Sequence, residues 1–137
     1  MIIGIGSDIV DIDRIEKTIE RFSDRFLDRM FTPQEQERSE RKLQSAASYA
    51  KRFAAKEAFV KALGLGLRDG MLWTDIEVVN VTHGQPTLVL HGRAAEILAM
   101  RCQPGCEAYI HLTLSDTKNL AQAFVVIEIS SHDPCRN

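Results

Sequence analysis

Glu57 and Lys61 stand one helical turn apart in the stretch Lys51-Arg52-Phe53-Ala54-Ala55-Lys56-Glu57-Ala58-Phe59-Val60-Lys61-Ala62-Leu63-Gly64, which is apolar almost all the way round yet carries charge. On a helical wheel Glu57 falls within the arc of Ala46, Tyr49, Ala50, Phe53 and Val60, so its carboxylate is expected to be enclosed. An enclosed carboxylate is neutralised, paired with a cation or bound to a metal, and spacing alone favours a Glu57–Lys61 ion pair. Asp8, at the close of the apolar segment from Ile2 to Val10, is a second candidate carboxylate whose bland reading is a cap for the next element.

The elements that must position these groups can be read in order. Ile2 to Val10 mixes β-branched residues with Gly4 and Gly6, as a strand does where another backbone approaches closely. Asp13 and Glu16 open an amphipathic helix with Ile12, Ile15, Ile19 and Phe22 on its inner face. Arg14, Lys17, Arg21 and Arg25 recur at steps of three, four and four, which makes a basic stripe if that helix continues, with acids between them. Thr32-Pro33-Gln34-Glu35 carries the signature of a helix start, and Arg38 to Ser45 reads as a charged connection to the central helix.

Beyond Gly64, residues 65–70 form a glycine-rich loop without the spacing of a nucleotide loop. A hairpin over Asp75–Val81 and Thr87–His91 follows, then a helix over Arg93–Arg101 and strands over Ala108–Ser115 and Ala121–Ile129. Phe124 and Val126 lie opposite the alternating apolar row of the last strand, which predicts a strand covered on both faces, and residues 132–137 read as a tail.

A chain of 137 residues with 45% hydrophobic and 26% charged residues suits one domain, 1–137. A net charge of −2 gives no footprint for nucleic acid. Without a membrane-length apolar run or a basic, apolar leader, a cytoplasmic protein away from the membrane is expected. Cys102, Cys106 and Cys135 are odd in number, and the Cys102–Cys106 spacing lacks a second ligand pair, so neither a disulfide framework nor a zinc site is indicated. His83 and His91 have no partner at metal or triad spacing, and Ser115 lacks a nucleophile elbow; His111, alone on a strand, reads as structural.

Taken together, Gly4-Ile5-Gly6-Ser7-Asp8-Ile9-Val10, Arg14-Ile15-Glu16, the run from Arg52 to Lys61 and Ile110-His111-Leu112-Thr113-Leu114 closely resemble the holo-acyl-carrier-protein synthases, single-domain 4′-phosphopantetheinyl transferases, over nearly the whole chain. The resemblance implies an α+β fold in which an antiparallel sheet wraps a long central helix. It implies transfer of the phosphopantetheine arm of coenzyme A to a serine of an apo-acyl-carrier protein, as in fatty acid biosynthesis, releasing adenosine 3′,5′-bisphosphate. By the same resemblance Asp8 and Glu57 hold Mg²⁺; with the metal there, Lys61 is expected to offset charge on the leaving bisphosphate and Glu57, directly or through a metal-bound water, to take the serine proton. By residue type and placement Arg52, Lys56 and His111, together with Lys61, are expected at coenzyme A phosphates, and because the family docks its acidic carrier on the first helix, Arg14, Arg21 and Arg25 are expected to contact the carrier. A homotrimer with sites between subunits is implied too. Asp116 stands where many relatives carry a second histidine.

Overall fold

The structure, a computed structural model, describes residues 1–131. Its first strand, β1 (Ile2–Asp11), runs three residues past Asp8 and leads straight into α1 (Ile12–Phe22). Asp11, not Asp13, is the N-cap: its carboxylate accepts from the backbone N–H groups of Asp13 (3.0 Å) and Arg14 (3.4 Å). Asp13 instead pairs with Lys17 at 2.9 Å on the surface. Ser23, at φ +48°, stops α1, and α2 (Asp24–Met30) starts in a new direction, so the predicted basic stripe is broken between Arg21 and Arg25.

The start of α3 (Pro33–Glu40) matches its signature. Thr32 Oγ1 accepts from Glu35 N at 3.2 Å, and Glu35 Oε1 accepts from Thr32 N at 3.1 Å. Helix α3 takes in Arg38, Ser39 and Glu40 from the expected charged connection, leaving a turn over residues 41–44 before α4 (Ser45–Leu63). Gly64, at φ +76°, ends α4 by donating to Val60 and Lys61 carbonyls.

The remaining elements are β2 (Ile76–Asn80), β3 (Pro86–Leu90), α5 (Gly92–Met100), β4 (Cys106–Asp116) and β5 (Leu120–Ser131). Strands β1, β5 and β4 form one antiparallel sheet in that order, and β2 pairs antiparallel with β3. The inner rows of the three-stranded sheet, including Ala123, Val125, Ile127, Ile110 and Leu112, pack on α4, where Ala54, Ala55 and Ala58 are fully buried. No described helix is long and apolar enough to cross a membrane.

Two features of this packing position the chemistry. Gly4, Gly6 and Asp8 alternate onto the face of β1 that meets α4, and a methyl group on Gly4 or Gly6 would collide with the carbonyl of Ala62 or Ala58. The helix therefore lies against β1 backbone to backbone. The opposite face of the sheet carries Ile5, Ile9, Phe124 and Tyr109, each at least 40% exposed, so this chain covers its sheet on one side and not on both as predicted. Replacing Gly6 by alanine forces α4 off the strand; we expect a loss of about 3 kcal/mol and a melting temperature lower by roughly 10 °C in thermal circular dichroism.

Candidate active site

Asp8 on β1 and Glu57 on α4 lie near enough across the β1–α4 contact for the Asp8 charge to act on the Glu57 carboxyl. Burial, then the Asp8 charge, push the Glu57 carboxyl above its ordinary value, and Lys61 opposes them. Lys61 Nζ donates to Asp8 Oδ1 and to the Ser7 carbonyl, both at 3.0 Å, so its ion pair is with the strand and not with the helix residue four positions back. Its side chain is more than half exposed, and that of Asp8 mostly buried. The result is a cluster of two carboxylates and an ammonium with open access at one side.

The central helix hides a different charge from the one its pattern suggested. Glu57 is only half-buried, whereas its neighbour Lys56 is fully enclosed. At 100° per residue, Lys56 points away from β1 into the space under α3, where its ammonium donates to Met30 O (2.6 Å), Glu35 Oε1 (2.6 Å) and Trp73 O (3.2 Å). Burial draws the Lys56 ammonium below the usual lysine range against the pull of Glu35. Arg52, one turn earlier, donates to Val78 O at 2.6 Å and Asn80 Oδ1 at 3.4 Å, with Glu35 3.8 Å away. Both cations were expected at coenzyme A phosphates. The structure corrects this: Lys56 has no solvent-facing surface and its three donors are taken, and Arg52 is 5% exposed in the same network.

Glu35, which sequence reasoning treated as a helix cap only, is the centre of that network. It accepts from Thr32 N, Val78 N and Lys56 and balances Arg52, while Thr32 Oγ1 donates to the buried Glu77, whose other oxygen lies 3.3 Å from His91 Nε2. The signal available in the sequence was the capping box itself, which does not reveal burial.

His111 lies on the uncovered sheet face, opposite to Asp8, with Nε2 2.9 Å from Glu128 Oε2. Within one chain the sheet separates it from the Asp8–Glu57 cluster. Asp116 pairs with Lys51 at 3.1 Å, tying the β4 end to the first turns of α4. Cys102 and Cys106 are free thiols, and Cys135 lies outside the described residues.

Arg14 and Arg21 line one hollow of about 370 Å³ with Phe22; Phe22 also lines a second, of about 530 Å³, with Thr18, Arg25, Phe26 and Arg29. Arg25 thus rejoins the α1 surface through α2 despite the break at Ser23. A larger hollow of about 820 Å³ lies between β3, α5 and β4, lined by Leu88, Leu98 and Ala108 and touching only His111 of the candidate residues. It is mostly apolar, whereas the two carboxylates and the ammonium gather at the β1–α4 contact.

No described group of three or more metal-ligating side chains exists. A carboxylate pair fits a small hard cation that keeps water and takes further oxygens from a substrate phosphate. With a lysine beside them, these carboxylates define a centre suited to phosphoryl-transfer chemistry.

Comparison with known proteins gives this class its family. Residues 4–113 match the model of the 4′-phosphopantetheinyl transferase superfamily, a span that contains Asp8, Arg14, Glu57, Lys61 and His111. The chain belongs to that superfamily. It is 56% identical over 135 residues to the holo-[acyl-carrier-protein] synthase of Methylobacterium sp. (strain 4-46), covering 98% of this chain and 100% of that one. The crystal structure of the corresponding synthase from Neisseria meningitidis superposes with a TM-score of 0.83 at 34% identity, over 93% of this chain and 99% of that one. The Helicobacter pylori synthase in complex with coenzyme A gives 0.76 at 31% identity, over 90% and 99%.

The raised Glu57 pKa carries a testable sign. The unfolded chain ionises this carboxyl first, so stability falls as pH rises from the ordinary carboxylate value of 4.5 through the raised one. In metal-free buffer Glu57→Gln is expected to melt higher than the wild type near neutral pH, with the difference vanishing below about pH 4 in scanning calorimetry.

Proposed function

We propose that this chain is a holo-acyl-carrier-protein synthase: it transfers the 4′-phosphopantetheine arm of coenzyme A to a serine hydroxyl of an apo-acyl-carrier protein and releases adenosine 3′,5′-bisphosphate. The observation that carries this is the Asp8–Glu57–Lys61 cluster at the β1–α4 contact, supported by full-length similarity to synthases of that name. Coenzyme A is the donor substrate, as the named complexes of similar enzymes suggest.

Asp8 and Glu57 would hold Mg²⁺, which when bound supplies positive charge at the substrate diphosphate. Glu57, directly or through a metal-bound water, is the candidate acceptor of the serine proton. Lys61 balances charge on the departing bisphosphate, moving from Asp8 toward the phosphate on its exposed, flexible stem. The fully committed Lys56 takes no part in substrate contact, and the bound network of Arg52 keeps it out as well.

A homotrimer accounts for two facts at once. The exposed row of Ile5, Ile9, Phe124 and Tyr109 would be covered by neighbouring copies, and His111 on that face would reach coenzyme A held by the next subunit. The arginines around the α1–α2 hollows would meet the acidic carrier, with Phe22 and Phe26 supplying apolar contact. A soluble protein of the cytoplasm fits this chemistry.

Incubation with coenzyme A, Mg²⁺ and apo-carrier should add the mass of one phosphopantetheine to the carrier, and chelator should abolish the gain. Asp8→Asn and Glu57→Gln should each cut turnover by at least about 100-fold, and native mass spectrometry of the same enzyme should show three copies. Unchanged turnover in both variants would refute the assigned centre. Arg14→Glu combined with Arg21→Glu should raise KM for the carrier roughly tenfold or more at low salt, with little change for coenzyme A; added salt should narrow the gap by weakening the wild type.

A further inference from the structure

We propose that Glu35 is a positioning residue for the Asp8–Glu57 pair, acting through Lys56. This rests on the reading of Asp8 and Glu57 as the metal-binding pair, and it concerns what fixes their relative placement.

The contact between β1 and α4 is close but smooth. Gly4 and Gly6 present bare backbone to Ala62 and Ala58, and the polar tie along that line is Lys61 to Ser7 O and Asp8, made by a long, exposed side chain that restrains a roll or slide of the helix less than buried contacts do. A roll of about 20° carries a side-chain end roughly 2 Å, enough to part Glu57 from Asp8. Placement errors of this order are costly in a reaction that depends on geometry.

The firmer hold is on the other side of the helix. Lys56, adjacent to Glu57 in sequence, is held by acceptors on three elements: Met30 O at the end of α2, Glu35 on α3 and Trp73 O in the turn before β2. One turn back, Arg52 is fastened to Val78 O and Asn80 on β2. Glu35 is the shared anion. It neutralises both cations, receives Val78 N at 3.2 Å, and is itself held by the α3 cap, where Thr32 also engages Glu77. Thr32, Glu35, Arg52, Lys56 and Glu77 are all nine-tenths or more buried, so their directions are enforced by the lack of any solvent alternative. The pins sit on the face of α4 remote from the glycines, and together the two sides set both the distance and the rotation of the helix. Glu35 touches no reacting group and works only through Lys56 and the helix.

The test uses the full chain with Glu35→Gln and two readouts. Amide hydrogen exchange, which needs no metal, is expected to accelerate over residues 53–61 at least tenfold more than over β4 and β5. Calorimetric titration of Mg²⁺ with coenzyme A present, normalised to folded protein, is expected to show binding about tenfold weaker than wild type. Should Glu35→Gln fail to fold, the double variant Glu35→Gln/Lys56→Met removes both charges of the Glu35–Lys56 pair together, leaving Arg52 with the charge of Glu77, and is expected to fold with the same two effects. Exchange that rises uniformly through sheet and helix, or Mg²⁺ affinity within twofold of wild type, overturns the proposal. Wild-type protein that binds no Mg²⁺ with coenzyme A would refute the metal reading instead, and the exchange pattern would then decide the positional role by itself.

Discussion

Everything functional in this molecule depends on how closely one helix can lie against one strand. Side chains larger than hydrogen at Gly4 and Gly6 would hold α4 away from β1. With the glycines in place, the carbonyls of Ala58 and Ala62 reach the strand, and Asp8 meets Glu57 and Lys61. The cost is two flexible residues in a strand interior, where glycine is entropically unfavourable. The fold recovers it through the buried alanines of α4 and the apolar rows of β4 and β5. Like-charged carboxylates left facing one another are a second cost. Lys61 relieves it in part, and a divalent cation would relieve the rest.

The same helix separates two kinds of electrostatics by rotation alone. On one side lie half-buried groups with free access, able to exchange partners: Lys61 can leave Asp8 because its ammonium is exposed. On the other lie Lys56, Arg52, Glu35 and Glu77, enclosed and mutually satisfied, with no buried side-chain polar atom among the described residues left without a partner. Removing one member of such a buried set costs about 3–5 kcal/mol, so these charges cannot double as substrate contacts. Adjacent residues Lys56 and Glu57 therefore have unrelated roles.

The exposed apolar face of the sheet and the exposed arginines of α1 and α2 are of different character. The first is a band of Ile5, Ile9, Phe124 and Tyr109 on rigid strands, suited to a permanent neighbour. The second is a mixed surface of arginine and phenylalanine around shallow hollows, suited to a charged partner that arrives and leaves. A transferase acting on a whole protein needs a surface of the second kind, since its substrate must dock and dissociate on each cycle.

Much of this was legible in the amino-acid sequence. The capping box at Thr32, the stop at Gly64 and the alternation along β4 and β5 are local patterns, and local patterns survive without knowledge of the neighbours, whereas the link from Asp8 to the distant Lys-Glu-Ala-x-x-Lys run was legible only through the resemblance to a family. Helical periodicity even showed that α4 is enclosed on most sides. It could not show which side each charge faces, because an all-round apolar helix has no moment to orient it. That decision belongs to tertiary structure. The glycines of β1 claim one face of α4 for a backbone contact, and α3 and β2 claim another with Glu35. Glu57 faces the Asp8 cluster and Lys56 the enclosed network because 100° of helical rotation separates them.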